Sequence, residues 1–182
     1  MRRRAVAGLF ISLIGAGSLL LPLPAQAAST RITQGDAQQV FQGVGEADVS
    51  GSRGAIRPFS GSPWDGAHFC AEDWHVVLFS WTEGGDASFS RSDAERILSG
   101  IAVRLTLDGA VLPTTRNAIK RFPDPERFGY QKAWFFNQGR IMAPADLTVG
   151  QHALSVSITD PSGMFDDGIT FFIDAADTGA CV

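Results

Sequence analysis

His68, Cys70, Glu72, Asp73 and His75 fall within eight residues, and each carries an atom able to bind a metal ion. In an extended chain successive side chains point to opposite sides. Residues 68, 70 and 72 would then face one way, and 73 and 75 the other. One ion would need a loop to gather them, and the spacing follows no standard zinc pattern. No metal site is assigned on this basis, and His68, Glu72, Asp73 and His75 stand as weak candidates. A second oxygen-rich group is Asp160, Ser162, Asp166 and Asp167. Ca²⁺ is conceivable there, but the order of residues is not that of an Asp-x-Asp-x-Asp-Gly loop. Ordinary turn chemistry accounts for the same residues.

Covalent catalysis has less support. The chain contains neither Gly-x-Ser-x-Gly nor Ser-x-x-Lys. Cys70 could act as a nucleophile with His68 or His75 only if it were not bridged. His152 sits on the apolar face of an alternating segment and reads as a core histidine. No catalytic residue, cofactor-binding residue or cofactor is assigned. Aromatic residues give a binding role more content: Trp64, Trp74, Trp81 and Trp134 stand beside 13 Phe and one Tyr. In the run Trp134-Phe135-Phe136 at least one ring must point away from a single core. Trp64, Trp134 and Phe135 are the candidates for stacking on a ligand, a sugar ring or a protein partner.

The first 27 residues set the compartment. Arg2, Arg3 and Arg4 precede an apolar run from Ala5 to Leu21, and Ala25-Gln26-Ala27 supplies a cleavage site. The run is short for a membrane anchor and is interrupted by Gly8, Gly15 and Gly17. A cleaved signal peptide over 1–27 is expected, with a mature protein that starts at Ala28 and has no membrane span. The product is secreted, or periplasmic if the source has an outer membrane. Loss of the leader leaves 12 basic against 19 acidic residues, a net charge of −7. That charge disfavours nucleic acid as a partner. Cys70 and Cys181 are an even pair in an exported chain and are expected to form a disulfide. Two free thiols are the alternative.

These residues need a scaffold, and the pattern along the chain is that of strands. Residues 28–37 read as a flexible segment and 38–44 as a first strand. Gly and Pro crowd 50–66, a loop tucked down by Ile56, Phe59 and Trp64. Trp74 to Trp81 is apolar on both faces, as in a central strand. Ser92-Asp93-Ala94-Glu95 reads as a capping box for a helix of at most two turns. Ile101 to Leu107 alternates and meets Asp108-Gly109, a hairpin signal. Segments 117–122, 130–136 and 140–143 continue the sheet. Gln151 to Thr159 alternates Leu154, Val156 and Ile158 against Ser155, Ser157 and Thr159. A polar turn then leads to Ile169–Ile173. Short strands with regular turns predict an all-β sandwich or barrel.

Pro144, Leu147, Gly150, His152, Leu154, Val156, Ile158, Asp160 and Gly163, followed by Ile169, Phe171 and Ile173, form a Pro-x-x-Leu-x-x-Gly-x-His-x-Leu run and a closing hairpin. On these residues the last third of the chain resembles bacterial extracellular immunoglobulin-like β-sandwich domains. Val103-x-Leu105-x-Leu107-Asp108-Gly109 fits an earlier strand and turn of the same architecture. The inter-sheet cysteine pair of antibody domains has no counterpart here. The resemblance implies one antiparallel immunoglobulin-like β-sandwich over 38–182, with at most one short helix. It specifies architecture and not activity. The expected function is that of a non-enzymatic binding or structural module with an extracellular protein or carbohydrate as partner. The alternative is a small secreted hydrolase or metal-dependent enzyme on a β scaffold.

Overall fold

The computed structural model describes residues 31–43 and 54–176. The expected signal peptide, its cleavage site and Cys181 lie outside the described residues. In chain order the elements are α1 (Gln34–Gln42), β1 (Ala55–Ile56), β2 (His68–Cys70), β3 (His75–Gly85), α2 (Arg91–Leu98), β4 (Ala102–Leu107), β5 (Ala110–Val111), β6 (Thr115–Arg116), β7 (Lys120–Arg121), a 3-10 turn (Pro125–Phe128), β8 (Lys132–Met142), β9 (Gly150–Asp160) and β10 (Gly163–Asp174).

The strands form two sheets. One has the order β1-β3-β8-β6, with β7 also paired to β8, and the other is β2-β10-β9-β4-β5. The chain is an all-β sandwich. Most pairs are antiparallel, but β1 runs parallel to β3 and β2 parallel to β10. The β9–β10 hairpin extends from Gly163↔Asp160 to Ile173↔Gly150. Asp108 and Gly109, with φ of 51° and 79°, join β4 to β5. Positive φ at both central residues is what Asp-Gly supplies to a tight hairpin.

Period-two alternation fills the space between the sheets. Leu154, Val156 and Ile158 of β9 meet Val77, Phe79, Trp134 and Phe136 of the first sheet in one core. Fully burying a Val, Leu or Ile side chain contributes about 1.5–3 kcal/mol, so each inward position of β9 matters to stability. Gly139 lets β8 approach β3. A Cβ there would lie 2.0 Å from the Val77 carbonyl oxygen.

Among the described residues two short helices are present, where at most one was expected. α2 starts at Ser90, whose side chain accepts from Asp93 N, rather than at Ser92. Arg116 donates to Leu98 O at the end of this helix at 2.7 Å and to Ile101 O, just beyond it, at 2.9 Å. The segment read as a loose stretch and a first strand is helical from Gln34. Thr33 and Asp36 form its capping box. Ala37 and Phe41, one turn apart, bury against Val76 and Leu78 on the outer face of the first sheet. The domain therefore includes residues 34–37, which were expected to lie loose before it.

Candidate functional site

Both faces of the first sheet are covered, and the candidate site lies along the β3 side of that sheet, between outward residues of β3 and β8 and aromatic residues packed on the inter-sheet core. Strand alternation sends Val77 and Phe79 inward and Val76 and Leu78 outward. Ser80 and Thr82 continue the outward series, opposite Asn137 and Phe135 of β8. On this face Phe122, Phe135 and Ala133 form a small cluster with Tyr130. The Phe122 ring meets Phe135 at 5.7 Å and Phe128 at 5.2 Å, both edge-on. Pro125–Phe128 turns the chain so that Phe128 remains 53% exposed at this point.

The opposite wall comes from the segment after β1. Arg57 is buried and its guanidinium lies over Trp64, 5.4 Å from the ring centroid. Phe59 packs on Phe79 at 5.9 Å. Between the two walls is a cleft of about 520 Å³ lined by Arg57, Phe59, Trp64, Ser80, Trp81, Thr82, Phe122, Arg127, Phe128, Tyr130 and Phe135. Seven of these are aromatic, and both charged ones are arginines. Ligand pockets typically occupy about 300–1,000 Å³ and combine apolar walls with a few polar groups.

A polar chain fixes the floor. Arg57 Nη1 donates to Ser80 Oγ at 3.3 Å, and Ser80 donates to Asn137 Oδ1 at 2.6 Å. Asn137 Nδ2 then donates to Phe41 O at 2.9 Å. Asn117 Nδ2 reaches the same oxygen at 2.6 Å, and Lys120 donates to Gln42 O at 2.7 Å. Side chains of β8, β7 and the segment between β6 and β7 thus satisfy carbonyls at the end of α1 that the helix itself leaves open.

Of the three aromatic residues singled out for stacking, Trp64 and Phe135 line the cleft. Trp134, the third, faces the inter-sheet core and packs on Phe89 at 5.6 Å. The correction follows from the pleat: Trp134 and Phe136 point inward and only Phe135 points outward. Sequence reasoning missed Phe122, Phe128 and Tyr130. Their signal was aromatic residues clustered around Pro123-Asp124-Pro125.

The structure does not gather the histidine-rich segment. His68 is paired with Asp174 at 2.8 Å and stacks on Phe172. Glu72 pairs with Arg31. Asp73 is buried and accepts from Ile32 N at 3.0 Å. His75 is buried, and its Nε2 donates to Cys70 O at 2.9 Å. Burial lowers the pKa of His75, against smaller opposing effects of the Cys70 carbonyl and the Asp73 charge. Among the described residues no group of three or more His, Cys, Asp or Glu side chains could hold a metal ion. Asp160 instead binds its own turn through Ser162 N and Gly163 N. Asp167 accepts from Ser60 N at 3.2 Å.

His152 is a structural residue. It bonds Asp108 Oδ2 at 2.7 Å through Nδ1 and Thr148 O at 2.7 Å through Nε2. Both ring nitrogens are engaged, so neither is placed to take a proton from a substrate. Burial lowers its pKa, but the bonds to Thr148 and Asp108 and the Asp108 charge outweigh burial and raise it.

No family model matches the chain, and no curated protein matches it. A solved chain named BspA_C_WT is similar at 14% identity and a TM-score of 0.34. The match covers 61% of this chain and 45% of that one. The chain therefore spans less than half the length of that structure. At that level it identifies neither a family nor an activity. No helix among the described residues is long and apolar enough to cross a membrane.

Proposed function

We propose that this chain is an exported, non-enzymatic β-sandwich module of immunoglobulin-like type. Its aromatic cleft would bind an extracellular protein or carbohydrate. The observation that carries the reading is the lining of the cleft. Aromatic side chains from β3, β8, the segment after β1 and the 122–130 segment converge on one depression. Aromatic groups held rigid at a surface bury much apolar area at little entropic cost. His68, Glu72, Asp73 and His75 each engage a separate partner, and this reading makes no use of them.

Export rests on the leader and on the cysteine pair. Among the described residues there is no free cysteine, and the expected partner of Cys70 is Cys181. Amino-terminal sequencing of the exported protein is expected to begin at Ala28. Intact mass with and without reductant is expected to show one bridge. An intact Met1 would contradict export, and two alkylatable thiols without reductant would contradict the bridge.

The binding reading is tested by Trp fluorescence titration against soluble oligosaccharides and against peptides selected from a displayed library. A ligand that quenches the wild type and loses affinity in Phe128→Ala supports it. A ligand bound equally by both proteins contradicts it.

A further inference from the structure

β1 is two residues long and β3 is eleven. The ladder between them covers only Val76 and Val77. Val76 N donates to Gly54 O at 2.8 Å, so Val76 directs its backbone groups away from β8. Backbone direction alternates along a strand. The register of β3 with β8 runs unbroken from His75 to Gly85. Ser80, Thr82 and Gly84 therefore direct N–H and C=O to the same side as Val76. Beyond Val77 no described strand pairs with that side.

The chain is turned off this edge after Ile56. Pro58 has no N–H to extend a ladder. Phe59 N donates back to Arg57 O at 2.9 Å. Sheet edges are commonly blunted by Lys, Pro or a bulge. The stretch Ser80–Gly85 carries none of these. Its one charged side chain, Glu83, accepts from Trp81 Nε1 at 2.8 Å. The same stretch borders the cleft, which is lined by Ser80, Trp81 and Thr82.

We propose that the Ser80–Gly84 edge of β3 takes an extended peptide of another protein as an added strand, with one apolar side chain of that peptide seated in the aromatic cleft. This rests on the reading of the cleft as the binding site and names its partner class. Backbone donors and acceptors recur along an edge every two residues, about 6.6–6.8 Å. A second extended backbone carries N–H and C=O groups at that same repeat. In such an arrangement main-chain bonds supply affinity and the pocket selects the side chain.

The probe is a blocked peptide selected from a displayed 12-residue library on the full mature protein, read by Trp fluorescence. Its amides are then N-methylated one at a time. The expected result is a period of two: methylation at alternate positions weakens binding by at least about tenfold, about the value of one charge-free ladder bond with its steric partner lost. Methylation at the intervening positions has little effect. Thr82→Pro, which removes an edge-facing N–H outside the β8 ladder, is expected to weaken the same peptide with the thermal melt retained. If that variant fails to fold, the methylation pattern decides alone. Binding without a two-residue period overturns the added strand. Selection of no peptide, with quenching by oligosaccharides, overturns it and leaves the cleft reading standing. Binding of neither class overturns both.

Discussion

Arg57 lies over Trp64 within one wall of the cleft, the guanidinium carbon 5.4 Å from the ring centroid. The same guanidinium donates to Ser80 Oγ at 3.3 Å. One buried cation thus joins the segment after β1 to the outer face of β3. A planar guanidinium can stack and donate at once, and an ammonium cannot do both in the same way. Arg57→Lys is expected to cost about 1–2 kcal/mol. Urea unfolding with a fixed slope measures it. An unchanged midpoint would show that this pair does not hold the wall of the cleft.

Gly139 lies opposite Leu78, and an added Cβ would meet the Val77 carbonyl oxygen at 2.0 Å. The atoms it would meet are all backbone of Val77 and Leu78, so no flexible side chain can yield. Gly139→Ala is expected to destabilise by about 1–3 kcal/mol or more. Denaturant unfolding checks it, and a wild-type midpoint would mean that β3 and β8 are further apart than described.

His75 and His152 are expected to oppose each other in pH dependence. Burial lowers the His75 pKa below its ordinary 6.5. Below about 6.5 the unfolded chain then binds more protons at this site, so its contribution to stability is lost as pH falls. His152 is raised above 6.5 by Thr148 and Asp108, which outweigh burial. Its contribution is full below 6.5 and is lost as pH rises through the folded value. Proton NMR should find His152 titrating at higher pH than His75. Asp108→Asn should lower the His152 value. The reverse order would contradict the burial of His75.

Much of the sandwich was legible because it rests on local alternation. Leu154, Val156 and Ile158 against Ser155, Ser157 and Thr159 define an inward face without reference to any other strand. Asp108-Gly109 likewise fixes a turn locally. The helix α1 was not legible in the same way. Only Ala37 and Phe41 are buried on it, amid four Gln, and the Val40-Phe41 pair reads equally well as strand. Its position depends on Asn117, Asn137 and Lys120, which lie far along the chain. The cleft was half legible. Trp64 and Phe135 stood out by type. Which face each ring of Trp134-Phe135-Phe136 takes depends on strand register, which composition does not supply. That no described strand pairs with β3 beyond Val77 depends on β1 ending at Ile56, a tertiary fact.

The central claim is that the aromatic cleft is the binding site. The most direct measurement compares wild type with Phe128→Ala, using one ligand found by the fluorescence titration. Phe128 is 53% exposed, so its removal should leave the thermal melt within about 1 kcal/mol of wild type. The account predicts a loss of affinity of about tenfold or more in that variant. Affinity equal to wild type in a variant with an unchanged melt would contradict it.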